Sequence, residues 1–220
     1  MEKVIDPIWE KIHSSRKWGM YPPEHIIRFI ARNYYNKDRG KIKILDFGCG
    51  QGANTWYLAR EGFDTYAFDG SESACKKSLA YLASDNLCAD VKVMDALNID
   101  YEDSYFDAVV DNACICCNKI GDIKQMYNNI YRVLKKGGKI ITVCFGGDLY
   151  GYKSGKEIEP STYCDITEGL LANLGVLHIF SDSELKEILS NTGFKDIQCD
   201  WCRYSDNGRL VHNLICTAVK

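Results

Sequence analysis

The chain has 220 residues, of which 46% are hydrophobic and 26% charged, with a formal net charge of −3. That length predicts one domain, or one domain with a lid, and suffices for a sizeable core. The acidic balance argues against a nucleic-acid partner held by charge. No apolar run is long enough to cross a bilayer, and the first seven residues carry no signal-peptide core, so a cytoplasmic place is expected.

The first 20 residues read as a helix or loop rich in aromatics and bases, with Trp9, Arg16, Lys17 and Trp18. Pro22 and Pro23 start a helix, since proline fits the first turn. Ile26, Ile27, Phe29 and Ile30 form its apolar face, which runs to about Asn36. Residues 37–40 are polar. The expected organisation is a helical lid over 1–40 and a main domain over 41–220, with an insert at about 146–180.

From Ile42 the chain reads as a buried strand through Phe47, with Asp46 near its end. Three alternating glycines follow, Gly48, Gly50 and Gly52, and then a helical pattern from Asn54 to Arg60. Glycine allows positive φ and lets a ligand approach the backbone. A dinucleotide fold would carry Gly-x-Gly-x-x-Gly, whereas this turn is Gly-x-Gly-x-Gly behind an acid, a poor neighbour for a pyrophosphate and a good one for a cationic ligand.

The run Ile-Leu-Asp-Phe-Gly-Cys-Gly-Gln-Gly (residues 44–52) resembles motif I of the class I S-adenosylmethionine-dependent methyltransferases. The resemblance covers about Ile42 to Phe145 and, more loosely, the C-terminal part. It implies S-adenosylmethionine as cofactor, with Asp46, Gly48, Cys49, Gly50 and Gly52 at the first turn. The second strand, residues 63–69, ends in Asp69, an acid placed to accept both ribose hydroxyls; Gly70 and Ser71 follow, and Ser71 also caps the next helix. The third strand exits through Asp95 and Ala96, the family's adenine-binding position. The fourth, residues 105–112, exits through Asp111 and Asn112, where the methyl group is presented.

The segment from Asp122 to Lys135 predicts an amphipathic helix, and Lys135-Lys-Gly-Gly turns into a fifth strand. Ser181 and Glu184 form a capping box for a later helix. Two last strands, near 197–204 and 210–218, flank the hairpin signal Asp206-Asn-Gly. The fold class expected is α/β: a doubly wound, mostly parallel seven-stranded sheet with helices on both faces and a C-terminal antiparallel hairpin.

The fourth-strand exit, Asp-Asn-Ala-Cys, lacks the Asp/Asn-Pro-Pro pattern of enzymes that methylate base amino groups and the Pro-Cys of the cytosine C5 enzymes. A small-molecule acceptor is expected, with O-methylation of a sugar or metabolite hydroxyl, in a monomer or homodimer. His178 is the candidate base by its near-neutral pKa; Tyr21 is a second catalytic candidate. Trp18 and Tyr21 are the lid's expected contacts, and Tyr150 and Tyr152 candidate acceptor-positioning groups. A nicotinamide-dependent oxidoreductase and a non-catalytic cofactor-binding module are the alternatives. The eleven cysteines read as reduced thiols, and no metal site is expected: Cys199 and Cys202 have an odd separation that points them to opposite faces of a strand.

Overall fold

The computed structural model describes residues 7–220. The first six residues of the expected N-terminal helix or loop, and most of the segment read for a leader, lie outside them. Among the described residues no helix is long and apolar enough to cross a membrane.

Two helices precede the sheet, α1 (Pro7–Ser15) and α2 (Glu24–Tyr34). Five parallel strands follow: β1 (Lys43–Phe47), α3 (Ala53–Arg60), β2 (Asp64–Asp69), α4 (Glu72–Ser84), β3 (Asp90–Val93), β4 (Phe106–Asn112), α5 (Ile120–Val133) and β5 (Leu134–Gly146), with a helix after each of β1, β2 and β4 and a loop between β3 and β4. The insert carries β6 (Lys156–Glu159), β7 (Thr162–Cys164) and β8 (Leu177–Phe180), and α6 (Asp182–Thr192), β9 (Lys195–Asp206) and β10 (Arg209–Val219) complete the chain. The main sheet runs β3-β2-β1-β4-β5-β10-β9, with β10 antiparallel to β5 and to β9. The seven-stranded expectation therefore describes this sheet. The insert was expected as an irregular stretch; it adds three strands, because β8 runs parallel to the last two residues of β5 and carries β7 and β6 on its other side.

β1 lies between β2 and β4 and is buried almost throughout. Its alternation divides two cores. Ile44 packs with Ile26, Phe29 and Ile30 of α2 and with Trp56 and Leu58 of α3 on one face. Leu45 and Phe47 pack with α5 and α6 on the other. Ile27, expected on the buried face of α2, is exposed, since that face is set by positions 26, 29, 30 and 34.

The glycine pair after α5 does not precede its strand. β5 starts at Leu134, and between the pairs Phe106↔Leu134 and Ala108↔Lys139 the register shifts, so Gly137, at φ +78°, sits in a bulge. At the hairpin, Asn207 (φ 49°) and Gly208 (φ 79°) make a two-residue turn whose doubly positive φ suits the twist of the flanking strands.

Cys199 and Cys216 face each other across β9 and β10 and form a disulfide, which corrects the expectation of thiols only. The other nine cysteines are free. Cys202 is exposed, on the opposite face of β9 from Cys199.

Candidate active site

A cavity of about 570 Å³ opens over the carboxyl ends of β1, β2 and β4, the place where open α/β sheets bind ligands. Its floor is the glycine turn. Gly48, Gly50 and Gly52 all have positive φ, which turns the chain from β1 into α3 within five residues. Only Gly48 and Gly50 of the three border the cavity. A Cβ on Gly48 would lie 2.1 Å from Cys114 Sγ, and one on Gly52 would lie 2.3 Å from Ser78 Oγ. A Cβ on Gly50 would meet only His13 Cε1, at 3.5 Å. The first and third glycines thus permit packing, and the second leaves room above the turn.

Asp69 closes the end of β2 on the cavity wall. Its Oδ2 accepts the Gly50 N–H at 2.9 Å and its Oδ1 accepts the Ser71 N–H at 2.8 Å. The carboxylate is fixed in place with acceptor capacity left on each oxygen. Burial raises its pKa, while those two N–H groups and the nearby His13 act the other way. Asp95 also lines the cavity and accepts the Leu97 N–H at 2.9 Å. Gly70, Ala96 and Asn112 complete the expected residues that border it at this end, with Phe68 and Met94 as apolar wall.

Five expected contact residues stand behind the wall. Asp46 is fully buried and accepts from Thr55 Oγ1 at 2.6 Å and Asn54 Nδ2 at 3.3 Å. It fastens the start of α3 to β1 instead of facing a cationic ligand. Asp111 accepts the Cys114 and Ile115 N–H groups and the Thr142 hydroxyl, which shapes the turn after β4. Burial pushes both carboxyls up to about 6. Cys49 points inward beside Cys75. Gly52 makes room for Ser78. Ser71 caps α4 through the Ala74 N–H, at 3.1 Å, and is buried.

His178 is corrected by its surroundings. It is completely buried on β8, its Nδ1 is 2.8 Å from Thr162 Oγ1, and its Nε2 is 3.3 Å from Glu184 Oε1. Phe180 packs edge-on against the ring. It does not border the cavity, because β7 and α6 close over it. Tyr150 donates to Glu168 at 3.1 Å and Tyr152 packs on Tyr163; neither borders the cavity. Trp18 and Tyr21 do.

The N-terminal segment covers the turn and is tied down at several points. Gln51, inside the glycine turn, accepts the Trp18 N–H at 3.0 Å and donates to the Arg16 carbonyl at 2.9 Å. Lys77 on α4 donates to the His13 and Arg16 carbonyls. Glu10 on α1 accepts from Ser71 Oγ at 2.6 Å and from the Ser73 hydroxyl and N–H at the start of α4. The Ser71 and Ser73 hydrogen bonds, with a helix N-terminus behind them, hold its carboxyl down at about 2. Trp9, His13 and Trp18 form an aromatic group over Gly50.

Several wall residues were not anticipated. His25 comes from α2, Leu170, Leu171 and Leu174 from the insert, Tyr204 and Asn213 from the hairpin, and Glu10, His13 and Gln51 secure the cover. Of these, only His25, two residues after Pro23 at the start of the lid helix, had a signal in the sequence.

Comparison with known proteins agrees with this geometry. Residues 44–138 match a family model described as "Methyltransferase domain". Phosphoethanolamine N-methyltransferase 2 of Caenorhabditis elegans is 30% identical over 79% of this chain and 39% of its own length. Ubiquinone biosynthesis O-methyltransferase of Rickettsia akari is 29% identical over 54% of this chain and 45% of its own. The chain spans less than half the length of these two curated relatives. In fold, it is similar to 1,6-didemethyltoxoflavin-N1-methyltransferase of Burkholderia thailandensis, solved with its acceptor and S-adenosylhomocysteine: TM-score 0.66, 21% identity, 89% of this chain and 76% of that one. The sheet order and the glycine turn agree with this match: residues 44–138 are a methyltransferase domain, on the fold of the class I S-adenosylmethionine-dependent methyltransferases.

Proposed function

We propose that the chain transfers the methyl group of S-adenosylmethionine to a small, uncharged acceptor, a hydroxyl compound such as a sugar or another metabolite. The observation that carries the reading is the convergence of Gly50, Asp69, Asp95 and Asn112 on one cavity with room left beyond them. The donor set fits the cofactor: Gly48, Gly50 and Gly70 leave open backbone, Asp69 can accept ribose hydroxyls, and Asp95 with Ala96 can meet the adenine edge between Phe68 and Met94. When bound, S-adenosylmethionine supplies a sulfonium-activated methyl group. The protein's own task is then mainly to align the acceptor and exclude water. Trp9, His13 and Trp18 cover the turn for that purpose.

Among the described residues, no lysine or arginine lines the cavity. That supports an uncharged acceptor over a phosphorylated one. The relatives' printed names include both nitrogen and oxygen acceptors, so the fold serves either chemistry. The antiparallel β10 against β5 and the buried acid before the turn weigh against a nicotinamide enzyme.

Calorimetric titration with S-adenosylmethionine, S-adenosylhomocysteine and NAD tests the reading. Binding of the first two and not of NAD is the expected result. Binding of NAD alone, or of none of the three, would overturn it.

A further inference from the structure

Beyond the cofactor end, the cavity continues between the lid and the insert, and its wall there is apolar apart from a few groups. Val143 and Phe145 of β5 and Leu171 and Leu174 of the insert supply the apolar part. Asn112, Asn118, Asn213 and Tyr204 supply amides and a hydroxyl, and His25 supplies a ring that can take up a proton at neutral pH.

His25 is the second residue of α2 and borders the cavity. Its Nε2 is buried and has no hydrogen-bond partner. Buried polar atoms of this kind are rare and call for a partner that the folded chain does not supply. The Asn112 side chain, also on the cavity wall, interacts with the imidazole, and Asn112 is the last residue of β4, where the methyltransferase reading presents the methyl group. The Nε2 atoms of His178 and His212 are also buried without a hydrogen-bond partner, but neither ring borders the cavity, so of the three His25 is the one a ligand there can reach.

We propose that His25 takes the proton of a hydroxyl acceptor as its oxygen is methylated, with Asn112 holding the ring in position. The inference rests on the methyltransferase reading and deepens it. The acceptor oxygen's lone pair forms the new C–O bond as the S–CH3 bond breaks, and that bonding pair stays on sulfur. The O–H proton passes to His25 Nε2, and the resulting imidazolium returns it to solvent.

The protonation state suits the role. Burial lowers the His25 pKa, while Asn112 and Glu24 act the other way, so the ring is neutral and able to accept at pH 7. Glu24, next to it on α2, is the charge that acts on it. The titratable groups sharing the wall are Tyr21, Cys114, Cys117 and Tyr204, with His13, Asp69 and Asp95 at the cofactor end.

His25→Gln removes the base while keeping a polar side chain of similar reach, and His25→Asn serves if the first variant does not fold. Three measurements go together. S-adenosylhomocysteine should bind the wild type and the variant with the same affinity by calorimetry. Catechol, added to the S-adenosylhomocysteine complex of histidine-labelled protein, should shift one ring resonance that is missing from the variant. With S-adenosylmethionine, catechol, glucose and glycerol serve as hydroxyl probes and aniline, neutral at pH 7, as the amine probe. The variant should lose on the order of 100-fold or more in kcat on hydroxyl probes and keep turnover of aniline. The wild-type kcat should fall as the pH drops through the lowered His25 value, a limb absent from the variant.

Hydroxyl turnover within threefold of wild type, no ring shift with catechol, or wild-type turnover of aniline alone would each overturn the proposal. Failure of the wild type to bind S-adenosylhomocysteine would instead remove the methyltransferase reading beneath it.

Discussion

The two ends of the cavity are built in opposite ways. At the cofactor end the chain works with backbone: three glycines at positive φ, N–H groups from Gly50 and Ser71 on Asp69, and two buried acids that fasten the neighbouring turns. Nearly all of it comes from residues 46–114. At the acceptor end the chain works with side chains from α2, β4, the insert and the final hairpin, about 190 residues apart at the extremes (His25 to Asn213). In the proposed reading one end takes a ligand that does not vary, and its geometry is local. The other would take the acceptor, and its parts can change one at a time without disturbing the sheet.

The sharpest way to break this contrast is at the glycines. Gly48→Val places a branched side chain at φ +68° against Cys114, whose Sγ and Cβ would lie 2.1 and 2.5 Å from the new Cβ. Backbone strain and overpacking together should cost about 3 kcal/mol or more, seen as a melting temperature lower by roughly 10 °C. Gly50→Ala meets no such neighbour, so only the strain of its positive φ remains, about 1–2 kcal/mol of stability, yet it should weaken S-adenosylhomocysteine by roughly tenfold or more. Retained affinity in Gly50→Ala would show that the turn does not touch the ligand.

The buried acids give the next largest effect, and it depends on pH. Burial raises Asp46 and Asp111 from 3.8 to about 6 in the folded chain. A raised carboxyl binds protons more tightly when folded, so stability is highest below the unfolded value and falls as the pH rises through about 6. Each rise corresponds to about 3 kcal/mol. Urea unfolding at pH 4.5 and pH 8 should show the protein less stable at the higher pH, and Asp46→Asn should reduce that difference. A flat profile in the wild type would mean that the hydrogen bonds of Thr55 and Asn54 offset burial completely. Asp69→Asn acts on the ligand instead. It should weaken S-adenosylhomocysteine by roughly 10- to 100-fold, the scale of a hydrogen bond to a charged group, and lower the melting temperature as well, because an amide can accept only one of the Gly50 and Ser71 N–H groups.

Legibility in the sequence follows the same division. The glycine turn, Asp69 and Asp95 are readable because a strand end, a φ requirement and a short turn are local facts. Asp46 and Asp111 were readable as important but not as buried fasteners. Their partners are set by packing that sequence spacing alone does not reveal: Thr55 lies on α3, folded back over β1, and Thr142 lies on β5, in register with Asp111. His178 had the right chemistry in the wrong surroundings: the burial that removes it from the cavity comes from β7, which the insert's glycine-rich sequence did not announce, and from α6, whose capping box was readable but whose packing over β8 was not. Tyr204 and Asn213 lie on the final hairpin, where a strand pattern says which residues alternate but not that β9 and β10 reach over the cavity.

The smallest effect lies in the cover that joins the two ends. Glu10 reaches from α1 to Ser71 and Ser73, and those hydrogen bonds lower its carboxyl from 4.5 to about 2. A lowered carboxyl adds stability that is present above the unfolded value and lost as the pH falls from 4.5 through about 2. The site is open to solvent, so screening keeps the contribution below about 1 kcal/mol. That is too little to unfold the sheet and enough to change how often α1 lifts from α4. Glu10→Gln keeps the shape and removes the charge. At pH 7 it should speed trypsin cleavage at Lys11, Arg16 and Lys17 severalfold while leaving the melting temperature within about 2 °C. S-adenosylhomocysteine affinity should fall only a few-fold, because the cover contributes aromatic contacts and the turn contributes the floor. Unchanged cleavage would place the hold on α1 elsewhere, in Gln51 and Lys77, and Gln51→Ala would then be the variant that frees it.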